Sequence, residues 1–75
     1  SACPGFFRRL AEMGQLSEVE QRVCVLTKLG IPPSAIAVHT YREYSSISSI
    51  RSRLYFKLFG KKGGARELDE YIRNL

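Results

Sequence analysis

Glycine and proline punctuation limits this chain to short helices. Gly14, then Gly30 with Pro32 and Pro33, then Gly60, Gly63 and Gly64 divide its 75 residues into brief segments. Glycine ends a helix at little steric cost, and proline lacks the amide that a continuing helix must donate. Within the segments apolar residues recur at three and four positions, and no stretch sustains alternation at two. An all-α fold follows: a bundle of about five helices, a three-helix core with a short helix at either end.

Phe6, Phe7, Leu10 and Met13 give a bracing helix that stops at Gly14. Ser17 stands three residues before Glu20, the spacing at which each side chain satisfies a free amide at a helix start. Leu16, Val19, Val23, Cys24, Leu26 and Leu29 then form a broad stripe. The second helix is expected over 17–29, with Lys28 at its negative end and Gly30 as its stop. Proline is tolerated in a first turn, so a third helix runs from Pro33 to Tyr41, with Ile36, Ala37 and Thr40 on one face. After a turn at 42–44, Ser45 or Ser46 caps a fourth helix reaching about Phe59, on which Ile47, Ile50, Leu54 and Leu58 make a stripe. Leu68, Tyr71, Ile72 and Leu75 mark the last. The chain divides into a brace (1–15), a central unit (16–60) and a loop with a C-terminal helix (61–75), all one domain.

A chain this short holds one small core. At 44% hydrophobic and 25% charged residues it has the composition of a folded domain. Cys3 and Cys24 do not make a disulfide framework, and Cys24 reads as a small core residue. Neither a metal-ligand cluster nor a set of nucleophile, base and orienting residue is present, so neither cofactor nor enzymatic activity is expected. No apolar run approaches the roughly 20 residues that cross a bilayer, and no signal peptide is visible, so a cytoplasmic domain without membrane contact is expected. The opening Ser-Ala-Cys-Pro, without Met, suggests a piece of a longer protein.

The net charge of +5 favours a polyanionic partner. From Tyr44 to Arg66 there are six basic residues (Arg51, Arg53, Lys57, Lys61, Lys62 and Arg66) and no acid. Charge alone suits a solvated basic face equally well. Two short helices joined by a tight turn, with a third behind them, are what project one helix into a DNA major groove. Turning 100° per residue from the buried stripe of the fourth helix sets Ser45, Ser48, Ser49 and Ser52 outward, flanked by Arg51 and Arg53. Serine hydroxyls donate or accept, and Arg grips guanine or phosphate. The same serines would also serve as plain solubilising residues, and His39 reads as a surface or phosphate-contact residue.

Leu16, Ser17, Glu20, Val23, Gly30, Ile36, Ala37, Ser46, Ile47, Lys57 and Leu58 match, without a gap, the pattern of the LuxR-type helix-turn-helix, which the central unit resembles. The Phe-rich lead and the Leu-Phe-Gly-Lys ending are similar to C-terminal domains of Bacteroidetes transcriptional regulators. The resemblance implies a DNA-binding output domain acting on double-stranded DNA, with Ser48, Ser49 and Ser52 toward base edges and Ser46, Arg51 and Arg53 near the backbone. Lys57, Lys61 and Lys62 extend the expected phosphate contacts. The chain departs from the pattern at Pro32, Thr40, Arg42 and Ser48: Thr40 and Arg42 stand where the family buries Leu and Ile. Either Arg42 turns its head to solvent while its stem packs and Tyr41 and Tyr44 refill that gap, or the turn is a variant one. A degenerate helix-turn-helix serving protein interaction or dimerisation is the alternative, with the C-terminal helix either pairing two copies or covering the core.

Overall fold

The computed structural model describes residues 5–75, which form five helices: α1 (Phe6–Glu12), α2 (Glu18–Lys28), α3 (Pro33–His39), α4 (Tyr44–Phe59) and α5 (Ala65–Arg73). Cys3 lies outside the described residues; Cys24 is a free, fully buried thiol. Burial pushes that thiol up to about 12, with the nearby Glu20 charge adding to the effect.

The predicted start of α2 is present in both halves. Ser17 Oγ accepts from the Glu20 amide at 3.2 Å, and Glu20 Oε1 accepts from the Ser17 amide at 2.8 Å. At the other end Gly30, with φ of 83°, closes the helix: its amide reaches Thr27 O, and the Ile31 amide reaches Leu26 O. This is the paired closure that a left-handed residue makes possible. Leu29, placed in the stripe from spacing, is instead 66% exposed, because the helix has already begun to turn away. Phe7 is likewise outside, and Phe6 and Leu10 carry the brace.

Two apolar clusters flank α4. Ile47 and Ile50, from its N-terminal half, pack with Val23, Ile36 and Ala37 from α2 and α3. Leu54, from its C-terminal half, packs with Phe6, Leu10, Cys24, Leu68 and Ile72, so α1, α2 and α5 meet there. Leu58 joins that cluster only partly buried. The core therefore draws on all three segments of the chain. Its Cα radius of gyration, 11.5 Å, matches the ~11 Å of a compact chain of this length.

The C-terminus of α5 is held by cations from elsewhere. Lys28 Nζ donates to Arg73 O at 2.8 Å while lying over the Phe6 ring, and Arg9 donates to Leu75 O at 3.2 Å. Lys28 thus serves a neighbouring helix end as well as its own. The loop into α5 approaches Tyr55 so closely that a Cβ on Gly63 would overlap the ring. Gly63 is required by that contact, beyond its role as a helix stop.

Candidate nucleic-acid interface

The α3–α4 connection is a tight reversal. Thr40 ends α3, Tyr41 adopts φ of 55°, the Tyr41 amide donates to Val38 O at 3.2 Å and the Arg42 amide to Ala37 O at 2.9 Å. These are the bonds that Gly30 makes after α2, here made by a residue whose Cβ resists the left-handed region. Thr40 is buried and safe: its hydroxyl donates to Ile36 O at 2.8 Å, so a polar residue occupies an apolar position without an unpaired group. Tyr41 and Tyr44 do not refill the gap. Tyr41 is 97% exposed and Tyr44 is also outside. Arg42 is exposed, its head free of the core.

The expected cap at Ser45 or Ser46 is also corrected. Glu43 is the N-cap residue, in extended conformation with no side-chain cap bond, and α4 begins at Tyr44. Burying Ile47, whose amide bonds Glu43 O at 3.2 Å, fixes the helix start more strongly than the ~1 kcal/mol of a serine cap. Ser45 and Ser46 therefore ride on the first turn, exposed.

The outward face of α4 assembles much as its periodicity predicts. Ser48, Ser49, Ser52 and Arg53 line one shallow depression, with Ser49 and Arg53 exposed and Ser48 and Ser52 half-buried. Beside it, Arg42, Ser45, Ser46, Ser49, Ile50 and Arg53 line a second. Beyond these, Ser52, Arg53, Phe56, Lys62 and Gly63 surround a more apolar hollow. Arg53 borders all three, so they form one continuous strip along the ~24 Å that 16 helical residues span. Lys61 lies exposed in the loop after the helix.

Two of the expected phosphate contacts are withdrawn from that strip. Arg51 is 5% exposed, and its guanidinium forks onto Asp69 of α5, with Nε donating to Oδ1 at 3.0 Å and Nη2 donating to Oδ2. The spacing Ile47, Arg51, Leu54, Leu58 (four, three, four) puts Arg51 on the buried stripe, and Asp69 lies between Leu68 and Ile72 on the inward face of α5. Opposite charges at inward positions of two helices were the available signal. Lys57 points toward the start of α2, donating to Gln15 O at 2.6 Å and to Glu20 Oε1 at 3.1 Å. Burial by itself would raise the Glu20 pKa, but the Ser17 amide and then Lys57 hold this carboxyl below its ordinary value.

From Arg42 onward, the cations without an ion pair among the described residues are Arg42, Arg53, Lys61, Lys62 and Arg66. Arg42, not among the expected contacts because the family pattern places it at a core position, lines one of these depressions. No grouping of His, Cys, Asp and Glu suited to a metal occurs among the described residues, nor any helix long and apolar enough to cross a membrane. No protein-family model, curated protein or solved structure matches the chain.

Proposed function

We propose that the chain is the DNA-binding output domain of a bacterial transcriptional regulator, acting in the cytoplasm, with α4 entering the major groove of double-stranded DNA. The observation that carries this reading is the strip on α4: small hydroxyl side chains in a row, bordered by unpaired cations. Small uncharged residues allow the helix axis to come close to base edges, and the flanking Arg and Lys suit the phosphates on either side. The tight α3–α4 reversal, with α2 packed behind, supports the same reading. No catalytic or cofactor role is part of it.

Titrating a labelled duplex at rising salt tests it. Three to five neutralised phosphates give a slope of log K against log salt of about −3 to −4.5. Ser49→Glu with Arg53→Glu, both exposed, leaves the fold intact and abolishes retention at low salt. Unchanged affinity in that double variant would refute the proposal. A pairing role for α5 has less surface to draw on than its sequence suggests, since Leu68 and Ile72 are spent on the core and Tyr71, edge-on to Phe59, remains outward. Sedimentation at micromolar concentration measures that role directly.

A further inference from the structure

The groove between the α3–α4 turn and the first turns of α4 has a chemistry that the serine face alone does not explain. Its lining brings together Arg42 from the turn and Arg53 from the third turn of α4 with Ser45, Ser46 and Ser49. Neither arginine has an acidic partner among the described residues, and Glu43, the acid adjoining Arg42 in sequence, is not part of the lining. Two like charges bordering one depression repel each other until an anion enters between them.

The backbone that carries one of these charges is itself tied down. The Arg42 amide is tied to Ala37 O, and the left-handed Tyr41 before it swings the chain across toward α4. The main chain of Arg42 is therefore ordered before any ligand arrives. A left-handed tyrosine whose ring is almost wholly in solvent gains no packing for its strain, and strain retained without packing points toward a use at that place.

We infer that this groove is a phosphate-binding site, held by Arg42 and Arg53 with Ser45, Ser46 and Ser49 as hydroxyl donors, and that its occupant is a backbone phosphate of the duplex whose bases face Ser48, Ser49 and Ser52. The occupant rests on the DNA-binding reading; the phosphate chemistry does not. A guanidinium offers a planar fork of donors to tetrahedral oxygens, and hydroxyls supply the shorter contacts. The groove shares Ser49 and Arg53 with the serine depression, so a phosphate seated here fixes the register of α4 relative to the bases.

Two titrations of the isotope-labelled chain, followed by NMR, test the site: one with inorganic phosphate and one with a short duplex. The expected result is saturable shifts of the Arg42 and Arg53 side-chain Nε–H signals and the Ser45 and Ser46 amides in both. Arg42→Gln, exposed and with its amide bond to Ala37 retained, makes the duplex salt slope shallower by about 0.9, the share of one phosphate. Arg8→Gln, on the exposed side of α1, leaves the slope unchanged. If phosphate saturates the groove while the duplex does not bind, the phosphate site stands and the DNA-binding reading falls. If the duplex binds with the same slope in Arg42→Gln, the site is overturned and the DNA-binding reading stands; if phosphate leaves both arginine signals unmoved, the site is overturned and the duplex titration alone decides the DNA-binding reading.

Discussion

The two halves of α4 do different work. Its N-terminal half buries Ile47 and Ile50 against α2 and α3 and presents hydroxyls to solvent, whereas its C-terminal half buries Leu54 among α1, α2 and α5 and carries aromatics outside. Tyr55 stacks at a tilt on Phe59, and Phe59 meets Tyr71 edge-on, so the C-terminal half is braced on its flank as well as beneath. The N-terminal half has no such brace and ends in a strained turn. The Arg51–Asp69 pair sits at the boundary, tying the middle of α4 to α5. One helix thus has an end braced on its flank and an end that presents hydroxyls to solvent.

Cutting the tie at the boundary has the largest expected effect. Asp69→Ala strands a buried guanidinium and costs about 3–5 kcal/mol in urea denaturation, while Arg51→Met with Asp69→Leu restores wild-type stability or exceeds it. If Asp69→Ala costs less than 1 kcal/mol, the anchored end does not depend on the pair. A smaller effect, of opposite sign, belongs to the presented end. Tyr41→Gly removes the left-handed penalty and leaves both turn hydrogen bonds in place, raising stability by about 1 kcal/mol. A loss of stability there would mean that the exposed ring supports the turn.

The smallest effect lies where Lys57 ties the anchored end to the start of α2. The Glu20 carboxyl is held below its ordinary value in the folded chain, so its contribution is present above the ordinary carboxylate range and fades as pH falls through the lowered value. With Lys57 substantially exposed, the gain is about 0.5 kcal/mol or less. Glu20→Gln flattens that acid limb in a series of melts, and an unchanged limb assigns the pH dependence to other carboxylates.

Sequence legibility follows the same division. Most local signals held: the Ser17–Glu20 box, the glycine stops and the 47, 50, 54 stripe all depend on residues within a few positions of one another, whereas the serine cap of α4 did not form. What escaped were relations set by one helix crossing another. Arg51 and Asp69 are 18 residues apart, and their pairing requires the packing of α4 on α5. Lys57 faces Gln15 across 42 residues, and Gly63 is needed for a ring that the loop folds back to meet. On the candidate interface, periodicity placed the serines correctly but gave Arg51 a surface role, because a charged residue on a buried stripe reads as a flank until its partner is known. Arg42, at a position the family pattern buries, has its head in solvent, one of the two outcomes the sequence left open.

The outward serines bear on how such a chain can change over generations. Ser45, Ser46 and Ser49 are exposed, and exchanges at such surface positions usually shift stability by no more than about 0.5 kcal/mol. The scaffold beneath them rests on Ile47, Ile50 and Leu54, buried from the same helix, and on Arg51 held by Asp69 of α5. A lineage could therefore revise this face residue by residue without refolding the rest, and closely related chains with the same core would be free to recognise different targets.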